Sequence, residues 1–345
     1  MVGSSVRHVG SRLAFCGTGG SADHSRRYDS TRIAPPREVR PHLDVTAHQP
    51  STLPRVGSDA PRGERERTKA EKPVLEVVGG PGRLSRESLR ELWQFREVQR
   101  AFVQRQLKVR YKQALVGAGW VVLQPLIASA IFALFLGRYA NVASEGVPYF
   151  LFALAGMAGW SYFSSAANTG SESLVANQNL LRKIYFPREI LPLTSVFSGL
   201  VDLAISLGVL FVATFLYGIR PAVSWLALPI PVLILVLFAA GVACGLSSLN
   251  IYYRDVRYVL PFLLQLGLFA SPIAYPLSKV PAGWREIYAI LNPIGAVVDA
   301  FRRIVIHGTW PDWTTTFGGL AWALFLFLAG FTLFKRLERG FSDRA

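Results

Sequence analysis

Six stretches of the sequence, at about 115–136, 147–168, 190–217, 225–249, 258–277 and 314–334, stay apolar for the roughly 20 residues that a helix needs to cross a bilayer. No other feature constrains the fold so tightly. Inside hydrocarbon every backbone N–H and C=O must find a partner within the protein, and a single long apolar run does this as a helix. The expected fold class is therefore an all-α polytopic membrane protein, with six transmembrane helices filling residues 113–334 and prolines bounding the fifth. Charged residues make up 17% of the chain, where a soluble domain carries about a quarter.

The net charge of +15 would suit nucleic acid if it covered one soluble surface, but it is distributed by topology. Segments 83–112, 171–189, 250–258 and 335–345 hold eighteen Lys and Arg, and the alternate connections hold six. This bias predicts a multi-pass protein of the cytoplasmic (inner) membrane, with both termini and the loops after spans two and four on the cytoplasmic side. Residues 335–345 are then a cytoplasmic tail, and no nucleic-acid partner is expected. Two cysteines, Cys16 and Cys244, make no disulfide framework, and the residues before Cys16 lack the apolar run of a cleaved signal.

Residues 1–82 are rich in Arg, Pro, Ser and Gly without a hydrophobic period, which predicts a disordered tail. The alternative is a mis-assigned start: the methionine after Met1 is Met157, so a later start would use another codon, such as one read as Val74, Val77 or Val78. Residues 83–112 then turn helical. Leu89, Leu92, Trp93, Val103, Leu107 and Tyr111 gather on one side, opposite Arg90, Gln94, Glu97, Gln104, Arg105, Lys108 and Lys112. An amphipathic helix along the inner membrane surface is expected, anchored by Trp93, Arg105, Lys108 and Arg110. Between spans five and six, Pro293 opens a second pattern, with Ile294, Val297, Val298, Phe301, Ile304 and Val305 on one face and Asp299 and Arg302 on another. Short interfacial or re-entrant helices on the outer side are expected there.

Catalytic chemistry is sparse. His307 is the one histidine outside the tail, and the chain has no CxxC, HExxH or GxxxxGK[ST] motif, so no metal site, no catalytic residue and no bound cofactor are expected. Asp202 lies well inside span three, where an unpaired charge costs about 2.5–3.5 kcal/mol. Thr194, Ser198 and Ser206 repeat with it at intervals of four, a polar stripe that either lines a hydrated path or ties helices together. Trp160 and Tyr162, with Trp120 and Phe163, are either interface anchors or a flat wall compatible with sugar rings. Gly241 and Gly245 are spaced for close helix packing.

The segment NLLRKIYFPREILPL (179–193) interrupts the membrane pattern. Snorkelling at the inner boundary accounts for Arg182, Lys183 and Arg188. It does not require Tyr185 and Phe186 beside them, whereas aromatic and cationic residues together are what protein interfaces favour as anchors.

Taken with KVRYKQALVGAGWVVLQPL (108–126), IYYRDVRYVLPFLLQ (251–265), NPIGAVVDAFRR (292–303) and FKRLERGFSDRA (334–345), this segment resembles the polysaccharide-exporting ABC transporter permeases, which export O-antigen, capsule, teichoic acid or galactan. The resemblance covers about residues 75–345 and omits the tail. It implies a six-span permease that forms a homodimer and pairs with two copies of a separate ATPase subunit, which binds ATP and Mg. The cargo would be a lipid-linked glycan moving outward through a central channel, and the segment around 178–188 would be the coupling helix. Two other classes are weighed against it. A membrane-embedded glycosyltransferase or polymerase would need carboxylates or histidines in sizeable outer loops, and an ion-coupled flippase would need several intramembrane ionisable groups where only Asp202 stands.

Overall fold

A computed structural model describes residues 86–112, 115–181, 183, 185–338 and 340–341. The predicted tail (1–82), Arg182 and the last four residues lie outside the described residues. Every regular element among those described is helical. The chain begins with α1 (Arg86–Gln94) and α2 (Arg96–Lys112), then α3 (Leu115–Phe132), which widens into a π turn over Ala133–Tyr139. There follow α4 (Tyr149–Ala176), the single turn α5 (Gln178–Leu181), α6 (Ile190–Leu216) and α7 (Pro229–Tyr252). The last four are α8 (Val256–Ala270), α9 (Ala282–Leu291), α10 (Pro293–Phe301, with a π turn to Ile306) and α11 (Trp313–Glu338).

Four helical stretches are long and apolar enough to cross a membrane: Gly119–Tyr139, Ile190–Leu216, Val223–Tyr252 and Trp313–Glu338. The two other expected spans fall on α4 and α8, and they miss that standard for different reasons. The 28-residue α4 is long enough, but from Gly156 onward it carries Gly, Ser, Trp, Tyr and Asn, which lower its hydropathy. It is nonetheless the central helix, packed against α3, α6, α7, α8 and α10. The 15-residue α8 is apolar but ends at Ala270, short of the expected boundary at 277. At 1.5 Å per residue it reaches about 22 Å, less than the ~30 Å of a hydrocarbon core.

Small residues set the spacing of the bundle. Where α7 crosses α11, a Cβ placed on Gly241 would lie 2.6 Å from the Leu326 carbonyl oxygen and from the Phe327 Cα. Between α4 and α7, a Cβ on Gly170 would lie 2.6 Å from the Ala243 Cβ. These are backbone-distance contacts of the kind that hold apolar helices together when water is not there to drive them.

Two local expectations are corrected. The amphipathic stretch is two helices, broken by a turn at Phe95, and Trp93 is 69% exposed, as a residue facing a membrane surface is in the protein alone. The outer helix α10 starts at Pro293, with the Asn292 side chain accepting from the Gly295 N–H, but it is buried all round. Asp299 and Arg302, on the other face of the pattern, are buried too: Asp299 bonds Arg303 at 2.7 Å, and Arg302 is 3% exposed. The Arg302 guanidinium donates to the carbonyls of Phe152, Pro272 and Ile273 and stacks on the Phe152 ring at 3.4 Å. A cation is tolerated there because three backbone carbonyls and an aromatic face replace its water.

Candidate functional site

A cavity of about 760 Å³ opens between α3, α4, α6 and α8, with the end of α2 at its edge. Its principal wall is the middle of α4, from Trp160 to Asn168. Ser161, Ser164, Ser165 and Asn168 line it at intervals that place them on one helical face. Ser161 Oγ and Asn168 Oδ1 are buried with no hydrogen-bond partner among the described residues. Trp160 and Tyr162 belong to the same wall. The Tyr162 hydroxyl donates to the Val196 carbonyl at 3.2 Å, and its ring is buried against α6, so it backs the wall from behind. Trp160 lies against α8 at Gly267, where an added Cβ would come 2.9 Å from the indole. Across the cavity stand Trp120 and Gln124 from α3, Ser206 from α6 and Gln265 from α8.

The α6 stripe divides into parts with different partners. Asp202 accepts hydrogen bonds from the Arg110 guanidinium and the Tyr111 hydroxyl while bordering the cavity, so it ties α2 to α6 at the cavity's edge. Arg110 therefore sits at the cavity edge and not on the outer face of the amphipathic helix, where Arg105 and Lys108 remain exposed. Ser198 is buried and donates back to the Ser195 carbonyl at 3.1 Å, outside the cavity lining. Thr194, nearer the start of α6, meets the Gln99 carboxamide at 3.0 Å.

The interruption before α6 is also built from contacts. Phe186, only 5% exposed, packs its ring 5.5 Å from Phe102 of α2. Tyr185 is 59% exposed and donates to Glu91 at 3.1 Å, and Lys183 is exposed. Arg188 stacks 5.6 Å over Phe341 and donates to the Glu338 carbonyl at 3.2 Å. Beneath them Glu189 is fully buried, 2.8 Å from Lys335, which also lies 3.0 Å from Glu338. Burial pushes the Glu189 carboxyl up from its ordinary range, and the Lys335 ammonium pulls it back. α2 spans the two regions, touching Phe186 through Phe102 and Asp202 through Arg110. Those positions are eight residues apart, about 12 Å along a helix.

Residues 98–306 match the ABC-2 type transporter family. This chain belongs to that family. It is 28% identical to the O-antigen export system permease protein RfbA of Myxococcus xanthus over 256 residues, covering 74% of this chain and 98% of the relative. Over 203 residues it is 29% identical to the RfbA protein of Klebsiella pneumoniae, covering 59% of this chain and 77% of the relative. Over 220 residues it is 24% identical to the polysialic acid transport protein KpsM of Escherichia coli, covering 61% of this chain and 84% of the relative. The transporter is thus a multi-pass membrane protein related to polysaccharide export permeases, and the matched region takes in most of α2, the cavity wall, the 183–189 segment and α10.

Sequence reasoning singled out Asp202, Ser206, Trp160 and Tyr162, which the fold brings to one cavity. It passed over the Ser161–Asn168 face of the transporter, although the three- and four-residue spacing was there to be seen. It also passed over Tyr111 as a partner of Asp202, which no local pattern indicates because 91 residues separate the two.

Proposed function

We propose that this chain is the permease of an ATP-driven exporter that moves a lipid-linked polysaccharide outward across the cytoplasmic membrane. In this reading two copies of the chain form the permease, with both termini cytoplasmic, and two copies of a separate ATPase subunit bind ATP and Mg. The helices α4 and α8 complete six spans, α1 and α2 lie at the inner surface, and α9 and α10 are outer re-entrant helices. The observation that carries the proposal is the cavity: aromatic rings and uncharged hydroxyl and carboxamide groups inside a bundle of apolar helices, joined by α2 to an exposed basic and aromatic segment. Similarity to the RfbA and KpsM proteins supports the substrate class.

The purified chain is expected to release no phosphate from ATP by itself and to co-purify with an ATPase encoded by the same cell. Loss of the chain is expected to abolish the surface polysaccharide. Robust ATP turnover by the chain alone would overturn the division of labour proposed here.

Within the 183–189 segment the two aromatic residues are expected to behave differently. Phe186→Ala empties a buried site against Phe102 and should destabilise the purified chain by about 3 kcal/mol, the lower end of the range for core phenylalanines. Tyr185→Ala removes an exposed ring and one exposed hydrogen bond, so it should leave thermal stability nearly unchanged while weakening capture of the ATPase. Pull-down and thermal unfolding of both variants separate the roles. ATPase capture at full strength by Tyr185→Ala would mean that this ring only anchors the membrane.

A further inference from the structure

The permease relatives divide by cargo: the RfbA names specify O-antigen and the KpsM names specify polysialic acid, a polymer with a carboxylate on each sugar. The cavity lining bears on which kind this chain can take. Arg110 and Asp202 are its charged members, and they are bonded to each other. The remaining polar side chains of the lining are uncharged: hydroxyls of Tyr162 and of serines on α4 and α6, and carboxamides of Asn168, Gln124 and Gln265. We propose that this cavity selects an uncharged, hydroxyl-bearing sugar chain over a polyanionic one, with Ser161 and Asn168 as specificity-determining residues. The proposal rests on the export reading above and narrows its substrate class.

Two oxygens on this wall, Ser161 Oγ and Asn168 Oδ1, are buried without a partner among the described residues. Asn168 Oδ1 is an acceptor only, and Ser161 Oγ both accepts and donates. A buried acceptor left unpaired is costly, so an occupant that brings donors to this wall, in place of water, is favoured there. A sugar hydroxyl donates to Asn168 Oδ1, and a carboxylate cannot. The two oxygens stand seven residues apart, about 10 Å along α4, so an extended chain can engage both at once. Trp120, about half exposed, lines the cavity with an indole on which the apolar C–H face of a sugar ring can pack, and Trp160 borders it from α4. A polyanion meets the opposite conditions. Each carboxylate would leave water for a passage walled by apolar helices, and the lining's cation is already neutralised by Asp202. Hydroxyls arrive in such a cavity at little electrostatic cost.

Full-length chain and its own ATPase should be produced together in cells lacking a native exporter. One strain supplies a lipid-linked neutral polymer of mannose and another lipid-linked polysialic acid, and surface polymer is measured per copy of chain in the membrane. The neutral polymer is expected at the surface at least tenfold more efficiently than polysialic acid. Ser161→Ala with Asn168→Ala is expected to lower export of the neutral polymer about tenfold at unchanged membrane level. Equal export of both polymers by the wild-type chain would overturn the selectivity while leaving the export reading standing. Export of neither would remove the export reading itself, and the proposal with it. Normal neutral-polymer export by the double variant would show that water satisfies Ser161 and Asn168 and that they select nothing. The wild-type comparison needs no variant to fold, so it decides the proposal even if the double variant fails to reach the membrane.

Discussion

Gly330→Val is expected to leave almost no folded transporter. A Cβ on Gly330 would fall inside the van der Waals envelope of the Gly241 carbonyl oxygen and 2.7 Å from its carbonyl carbon. Both are backbone atoms of α7, so no rotamer change relieves the overlap, and the two helices must separate along a contact that reaches from Leu326 to Leu333. Overpacking a flexible core costs about 1–3 kcal/mol. A branched side chain against fixed backbone belongs at or above the top of that range. Gly330→Ala brings the same Cβ against the backbone without the branches, and should lose about 3 kcal/mol, a midpoint lower by about 6–12 °C at about 2–4 °C per kcal/mol. Gly208→Ala is the control, because nothing lies within 4 Å of a Cβ there. Size-exclusion profiles and thermal unfolding of the purified variants test this. A wild-type profile for Gly330→Val would mean that α7 and α11 do not approach as closely as the structure has them.

The α7–α11 contact also shows how far the sequence could be read. Gly241 and Gly245 signalled close packing by their spacing, but their partner, Gly330, lies 89 positions beyond Gly241 and no local pattern points to it. The spans that face lipid were legible because hydrophobicity is a local property, as in α6 and α11. The helix that faces protein was harder. α4 is buried among other helices and borders a cavity, so it is free to carry Ser161, Ser164 and Asn168, and those residues dilute the signal that identifies a span. The same logic explains Arg302. By periodicity it belonged on a polar face, yet three carbonyls from distant segments and the Phe152 ring make a buried site for it. Tyr185 and Phe186 read alike in the sequence, as aromatics beside cations, yet the fold buries Phe186 against Phe102, 84 residues earlier, and leaves Tyr185 exposed. In each case the residue type was informative, and the identity of the neighbour had to come from the fold.

Asp202→Leu is expected to cost the protein about 2–3 kcal/mol and to disable export. Removing one partner of a fully buried ion pair costs about 3–5 kcal/mol, because the remaining charge is left without compensation. The discount applies because the Arg110 and Asp202 side chains keep 25% and 13% of their exposure at the edge of the cavity. Asp202→Asn should do less harm: its carboxamide oxygen can still accept from Tyr111 or Arg110, so the helix tie persists without the charge. The decisive variant is the double replacement Arg110→Met with Asp202→Leu. It removes both charges together and substitutes apolar side chains for a buried pair, an exchange that is often neutral or stabilising. The double variant should therefore recover most of the stability lost by Asp202→Leu. Export should not recover with it, because α2 would then be joined to α6 without the charged contact that links the Phe186 end of the helix to the cavity. Thermal unfolding and surface polysaccharide, measured on all three variants, separate the two contributions. Recovery of both in the double variant would reduce the pair to a structural tie, and recovery of neither would mean that Arg110 and Asp202 are not each other's main partners.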